Sequence, residues 1–316
     1  MKTGFTESYL SQIENLKRGC KKMKKTTQLK KLILDEEILV MPGAHDALSA
    51  KIIEQVGFKA VTMGGYAASA ASLAKPDVSL LTLTEYVHIV RNIVEVVDLP
   101  LFVDGDTGHG NVTNVQRTVR VFENAGVAGL FIEDQVYPKR CGHMEGKQII
   151  STEEMVAKIK AAVDARVDQD LVIMARTDAV AINGIDAAIE RANRYAEAGA
   201  DLIFVEAPTS REDMLRSNCE IKAPTNAIQI EGGKTPLLTV NELEELGFNV
   251  VVYPNATVYA TAWALLGLWE GLKKNGTTKH WLDKIIPFDE FNTIVGLDKI
   301  RDLESYYYRD LFESLK

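Results

Sequence analysis

The stretch AGADLIFVEA, Ala198–Ala207, decides how the chain reads. Its Gly199 suits the left-handed C-cap of a preceding helix. An apolar run, Leu202–Val205, follows, and a carboxylate, Glu206, ends it. A run that is apolar at every position, rather than at alternate ones, fits a strand buried on both faces of a parallel sheet. The same phrase recurs as VGFKAVTMGG (Val56–Gly65), AGVAGLFIED (Ala125–Asp134) and LGFNVVVYPN (Leu246–Asn255). Working outward from these, the expected strands are Ile38–Met41, Ala60–Met63, Leu101–Asp104, Gly129–Glu133, Leu171–Arg176, Leu202–Glu206, Asn226–Ile230 and Asn249–Tyr253. Segments with helically spaced apolar residues lie between them, among them Thr113–Asn124, Thr152–Val167 and Ile185–Glu197. Eight strand–helix alternations over residues 36–275, with no linker or low-complexity break, match the ~250 residues of an α/β fold of the (β/α)₈ barrel type. A doubly wound open sheet is the alternative, but no G-x-G-x-x-G follows the first strand.

The rest of the chain divides around that core. Residues 1–35 read as a basic helical arm, and residues 276–316 as a helical extension for packing against other subunits. Residues 1–31 hold nine Lys/Arg against two Glu, a net +7, which leaves −15 on the remainder of a chain whose formal charge is −8. An acidic body argues against nonspecific nucleic-acid binding, and the arm reads as a solvated helix face. Cys20, Cys141 and Cys219 are too dispersed for a disulfide framework or a zinc cluster and suit a reducing compartment. No signal-peptide core is visible at the N-terminus. The most apolar stretch, Ala256–Trp269, is shorter than the ~20 residues a membrane span needs. The expected location is therefore the cytoplasm, with no membrane partner.

In a barrel of this kind the active site lies at the C-terminal ends of the strands. Strand three ends in Asp104 and Asp106, strand four in Glu133 and Asp134, strand five in Arg176 and Asp178, and strand six in Glu206. One acidic strand end is explained by helix capping. Four that deliver acids and one Arg to the same mouth point to chemistry. Clustered carboxylates repel unless a cation neutralises them, and an oxygen-only set favours Mg²⁺, with Mn²⁺ as the other option. Arg176 is placed to clamp a substrate carboxylate; its plain alternative is an ion pair with Asp178 or Glu206. The loop QVYPKRCGHMEGKQI (Gln135–Ile149) exceeds the usual 2–6 residues and reads as a lid. It carries Cys141 beside Lys139, Arg140 and His143. Nearby positive charge is expected to lower the thiol pKa from ~8.5 and to make Cys141 a proton donor to a carbanion. The pair Gly64–Gly65 after strand two offers backbone N–H groups to a ligand, and Asp77 lies within reach of metal-bound water; the plain reading of this segment is a Gly/Ser loop.

The motifs DGDTGHGN (Asp104–Asn111), FIEDQVYPKRCGH (Phe131–His143), ARTDA (Ala175–Ala179), FVEAP (Phe204–Pro208) and EGGKTPL (Glu231–Leu237) are collinear and span most of the chain. Together they resemble the isocitrate lyase/phosphoenolpyruvate mutase superfamily, and the KRCGH loop favours its 2-alkylmalate and methylisocitrate lyase branch. The resemblance implies a homotetramer, a dimer of dimers that swap their last helix. It implies Mg²⁺ held directly or through water by Asp104, Asp106 and Glu133, with Asp77 alongside. It further implies Arg176, Gly142 and His143 on a substrate carboxylate, Cys141 as proton donor and Glu206 in support.

The implied reaction is an oxo-acid-lyase cleavage of C2–C3 in a 2-alkylmalate such as 2,3-dimethylmalate, or in 2-methylisocitrate, to pyruvate and a carboxylic acid. Departures from the family pattern fall around the second carboxylate pocket: Gly64 replaces a Ser, Thr62 a Tyr and Ile228 an Asn. Asn226 and Gln229 lie near Ile228, and Asn255 or Thr257 is placed to replace a lost contact. Tyr66 is the candidate base for the C2 hydroxyl. The alternatives are oxaloacetate hydrolysis, phosphorus–carbon chemistry of the carboxyphosphonoenolpyruvate mutase type (which Cys141 argues against) and a non-catalytic metabolite-binding barrel.

Overall fold

The computed structural model describes residues 22–308, which fall into two compact units, one of residues 25–265 and one holding 266–308 with the residues before 25. In the larger unit eight parallel strands are β1 (Leu39–Pro42), β2 (Val61–Met63), β3 (Leu101–Asp104), β4 (Gly129–Glu133), β5 (Val172–Thr177), β6 (Leu202–Val205), β7 (Thr225–Ile228) and β8 (Val250–Tyr253). They form one sheet in the order β1-β8-β7-β6-β5-β4-β3-β2. Gly43 and Thr62 make a single parallel bridge between the segments at β1 and β2, so the sheet is a nearly closed (β/α)₈ barrel. Every expected strand is present, with bounds shifted by at most two residues.

The Gly residues that flagged the repeating phrase adopt left-handed backbone at Gly57, Gly126, Gly199 and Gly247, with φ between 91° and 107°. Each ends the helix that precedes a strand. Helix starts follow equally local rules. Thr82 and Glu85 form a capping box for α4 (Leu83–Val96), as Asn111 and Asn114 do for α5 (Val112–Asn124). The other helices of the unit are α1 (Lys25–Ile33), α2 (Ala47–Val56), α3 (Gly65–Leu73), α6 (Thr152–Ala165), the single turn α7 (Val180–Asn183), α8 (Ile185–Glu197), α9 (Arg211–Glu220) and α10 (Val240–Glu245). Their apolar faces, Val115, Val119 and Phe122 on α5 for example, pack with Leu130 and Ile132 of the sheet.

The barrel interior is apolar at mid-height, filled by Met41, Phe102, Phe131, Met174 and Phe204. Leu29 and Ile33 of α1 join that interior cluster and are almost fully buried. The Thr26 and Thr27 hydroxyls donate to Asp168 and Asp170, and Lys25 Nζ to the Val97 carbonyl. This corrects the expected arm of residues 1–35. From Lys25 onward its apolar stripe belongs to the barrel, while residues 1–21 of that arm lie outside the described residues.

In the second unit the division falls at Leu266, inside α11 (Ala256–Asn275), rather than at residue 276. It includes α12 (Phe288–Ile294) and α13 (Leu297–Tyr307), with Phe288 and Tyr307 largely exposed. Among the described residues no helix is long and apolar enough to cross a membrane.

Candidate active site

A cavity opens at the C-terminal mouth of the barrel, with about 580 Å³ of empty space that includes its solvent-open entrance. Gly64, Gly65, Tyr66, Asp77, Asp104, Cys141, Gly142, His143, Arg176, Glu206 and Asn255 all line it. Asp106 and Glu133 are buried beside the lining acids: the Asp106 N–H donates to Asp104 Oδ1 at 2.7 Å, and the Glu133 N–H donates to the Asp106 carbonyl at 3.0 Å. These backbone bonds therefore bring together acids from two sequence motifs, DGDTGHGN and FIEDQVYPKRCGH.

Asp104 is fixed on both oxygens, since the Gly65 N–H donates to its Oδ2 at 2.9 Å. Gly65 is required for that approach, because a Cβ there would lie 2.8 Å from the same oxygen. Asp106 sits at a strained φ of 55°, and the Ser79 hydroxyl donates to its Oδ2 at 3.1 Å. Burial pushes Asp106 up to about 6, and pushes Glu133 well above the usual carboxylate range, with Arg176 and Lys139 acting in the opposite direction. Lys139 is the functional residue that sequence reading passed over as mere charge beside Cys141. Its ammonium is almost fully buried and lies 2.7 Å from Asp77 Oδ2. Burial alone would lower its pKa; Asp104, Glu133, Asp106 and Asp77 outweigh that and hold it well above 10.5. A Lys in a loop otherwise destined for four carboxylates was the available signal.

Among the described residues no three His, Cys, Asp or Glu side chains are arranged to cage a metal by themselves. The donors nevertheless fit a hard cation that keeps its waters. Both Glu133 carboxylate oxygens are buried with no hydrogen-bond partner, a costly condition that a divalent ion or its water would relieve.

Arg176 is held by hydrogen bonds on one side and turns the other toward two acids of the site. Its Nε and Nη2 donate to Asp178 at 2.9 and 3.0 Å, the ion pair foreseen as its plain alternative. Its Nη1 lies 3.4 Å from Glu133 and 3.2 Å from Glu206. Phe131 and Phe204 carry the guanidinium on their faces, at 5.9 and 5.3 Å from the ring centres. Across the cavity wall, the Lys234 N–H donates to His143 Nδ1 at 2.9 Å. That bond places the neutral imidazole proton on Nε2, which lies 3.0 Å from Glu206 Oε1. Lys147 donates to the Gly142 carbonyl and, at 3.0 Å, to Asp178, so it ties the lid turn to the residue that orients Arg176.

The expectation for the Cys141 thiol is corrected. Burial, its largest influence, pushes the thiol up to about 11, against the lowering effects of the His143 backbone N–H and of Arg176. The neighbouring cations do not serve it. Lys139 faces the acids, and Arg140 donates to the Glu145 carbonyl. A neutral S–H is the form a proton donor needs. The Cys141 N–H in turn donates to the Asp77 carbonyl at 3.1 Å, so the acid segment anchors the lid.

Two more expectations separate. Asp134 does not join the mouth; it accepts from Thr177 Oγ1, the Asp178 N–H and Tyr195 Oη at 2.7–2.9 Å, with Arg191 Nη1 at 3.2 Å, a structural knot. Thr257 donates to the Gly43 carbonyl at 2.6 Å, which leaves Asn255 as the residue facing the cavity. Gln229 is spent on the backbone of Ile228 and Leu238, whereas Asn226 lines the cavity.

The family model described as phosphoenolpyruvate phosphomutase matches residues 29–271, most of the chain. The chain belongs to the phosphoenolpyruvate mutase/isocitrate lyase superfamily. Within it, the chain is 51% identical over 285 residues to a 2,3-dimethylmalate lyase of Eubacterium barkeri, covering 90% of this chain and 99% of that one. Among solved members, an oxaloacetate acetylhydrolase with 3,3-difluorooxalacetate superposes with a TM-score of 0.86 at 31% identity, over 90% of this chain and 97% of the other. A phosphonopyruvate hydrolase solved with oxalate and Mg²⁺ gives a TM-score of 0.82 at 29% identity, over 90% and 99%. The chain is thus an enzyme of the superfamily's carbon–carbon lyase kind.

Proposed function

We propose that this superfamily member cleaves the C2–C3 bond of a 2-alkylmalate such as 2,3-dimethylmalate, giving pyruvate and a carboxylic acid, with Mg²⁺ as its cofactor. The supporting observation is the meeting of the Cys141 thiol with Arg176, Glu206 and Asp104 on one cavity, where burial favours the S–H form. The likeness to a 2,3-dimethylmalate lyase supports the choice of substrate. Asp104, Asp106 and Glu133, with Asp77 alongside, would hold the ion directly or through water. When bound, Mg²⁺ supplies Lewis-acid polarisation of the substrate's C1 carboxylate and C2 oxygen.

The chain's own residues do the rest. Arg176 Nη1, steadied by Asp178, pairs with a substrate carboxylate and with the negative charge that grows during cleavage. Tyr66, on the cavity wall, is our candidate relay for the C2 hydroxyl proton, taking it as its own phenolic proton passes out of the site. The C2–C3 electron pair then passes into the carboxylate of the departing fragment. Cys141 Sγ gives its proton to C3, and the thiolate regains a proton before the next turn. Glu206 and His143 hold the lid turn in register for that transfer. The lid excludes water, so the carbanion meets the thiol first.

The second reading is hydrolysis of oxaloacetate to oxalate and acetate, favoured by the likeness to the oxaloacetate acetylhydrolase. Incubation with 2,3-dimethylmalate, 2-methylisocitrate or oxaloacetate plus Mg²⁺ separates the two: pyruvate supports the lyase, oxalate the hydrolase. No pyruvate from any 2-alkylmalate or from methylisocitrate ends the lyase reading. The assembly we assign is a homotetramer in the cytoplasm, consistent with the exposed Leu266, Trp269, Phe288 and Tyr307 of the second unit. Sedimentation of a monomer at micromolar concentration would overturn it.

A further inference from the structure

We infer that Asn226 is the second anchor of the substrate, the residue that selects a dicarboxylate by receiving the carboxylate far from Arg176. The inference rests on the lyase reading only for the identity of the substrate. Asn226 is 2% exposed, yet both polar atoms of its amide lack a hydrogen-bond partner, and it lines the cavity. A buried amide left unpaired is a net cost to folding, so the fold gains nothing from this side chain as it stands. Leu, of similar size, would suit the neighbouring Phe204, Ile228 and Val252 far better.

Register places the amide where a second anchor belongs. Arg176 pairs with Phe204 across β5 and β6, and Phe204 pairs with Asn226 across β6 and β7. Arg176 and Asn226 therefore sit on one row, two strand spacings or about 10 Å apart between Cα atoms. Both side chains line the same cavity, so one ligand can reach both. The Phe204 ring, under the Arg176 guanidinium, lies between them and supplies an apolar bed for the carbons joining the two carboxylates. The Asn226 Nδ2–H₂ would donate to the distal carboxylate.

Gln229 and Thr257, the other polar residues near this wall, are consumed by backbone partners. Asn255 Nδ2 already has a partner, Tyr259 Oη at 3.4 Å, whereas both polar atoms of Asn226 have none.

The test uses the Mg²⁺-loaded enzyme and two ligands, malate and lactate, which share the 2-hydroxy acid end and differ in the second carboxylate. Calorimetry is run on wild type, Asn226→Leu and Asn226→Asp, with folding checked by thermal melting. Malate is expected to bind wild type at least 10-fold tighter than lactate does. Either substitution should remove that preference, while lactate binds all three proteins alike, since the hydrogen bond that is lost is one to a charged group. Asn226→Leu should melt no lower than wild type. Malate binding that is unchanged within twofold in Asn226→Leu, or no tighter than lactate in wild type, overturns the inference. Neither readout depends on turnover: a wild type that forms no pyruvate removes the lyase reading and leaves this binding comparison to decide on Asn226.

Discussion

Gly142 lies so close to Glu206 and Arg176 that a Cβ on it would overlap the Glu206 carboxyl carbon and Arg176 Nη2. The lid can bring Cys141 and His143 over the cavity only because position 142 has no side chain. The clash is with buried, mutually paired groups rather than with a free side-chain end, so the lid must give way instead. Gly142→Ala is expected to lower kcat/KM by at least about 100-fold, in line with what misplacement by about 1 Å costs. The melting temperature should stay close to wild type, and proteolysis within residues 135–149 should accelerate. A variant with wild-type kcat/KM would mean that the lid does not close on Glu206 during turnover.

The Cys141 thiol at about 11 sets a pH signature. It stays protonated throughout the neutral range, so the rate limb that reports loss of the proton donor should be flat to about pH 9 and fall only as pH nears 11. Iodoacetamide should react slowly at pH 7 and faster by roughly tenfold per pH unit up to that value. The folded value lies above the unfolded ~8.5, so the associated stability is present below pH 8.5 and is lost as pH rises through 11. Cys141→Ser should fold normally and lose about 10²–10⁴-fold in kcat. A thiol that alkylates fully with a midpoint near pH 7 would contradict this.

Lys139 and Asp77 form a buried ion pair on which three further carboxylates depend. Lys139→Met removes the charge and keeps the length. Breaking a buried pair costs about 3–5 kcal/mol, and urea denaturation should show a loss of that order. The missing charge also sharpens the need for a cation: added Mg²⁺ should raise the urea midpoint of Lys139→Met more than it raises that of wild type. Equal Mg²⁺ effects on the two proteins would show that the ammonium and the cation answer to different acids.

What the chain disclosed before its structure was its repetition. Gly57, Gly126, Gly199 and Gly247 mark helix ends through a backbone rule that needs no tertiary context, and the apolar runs after them are strands for reasons of burial alone. Strand-end acids were legible because β-strand ends share one mouth, yet Asp134 shows the limit. Adjacent strand-end residues face opposite ways, so Glu133 turns toward Arg176 while Asp134 binds Tyr195. Lys139, Lys147 and Ser79 stayed hidden because their partners Asp77, Asp178 and Asp106 lie 27 to 62 residues away and meet them only in the fold. The thiol was misjudged for a related reason: charge near in sequence faced elsewhere, and burial decided its pKa.

Asp178 governs two cations at once, accepting from Arg176 Nε and Nη2 and from Lys147 Nζ, all within 3.0 Å and fully buried. Burial would raise its pKa, but Arg176 and Lys147 outweigh burial and hold it below the usual carboxylate range. Its contribution to stability is therefore present above the unfolded value of ~3.9 and is lost as pH falls through the lower folded one. Asp178→Asn keeps the shape and leaves Arg176 and Lys147 short of one negative charge. At pH 7 the variant should be less stable by about 3 kcal/mol in urea, with kcat/KM down by an order of magnitude or more because both the guanidinium and the lid turn lose their anchor. As pH is lowered the two stability curves should converge, since wild type then gives up the same charge. Curves that stay parallel down to acid unfolding would mean that Asp178 holds Arg176 by shape alone, and that the substrate clamp owes its orientation to Glu133 and Glu206 instead.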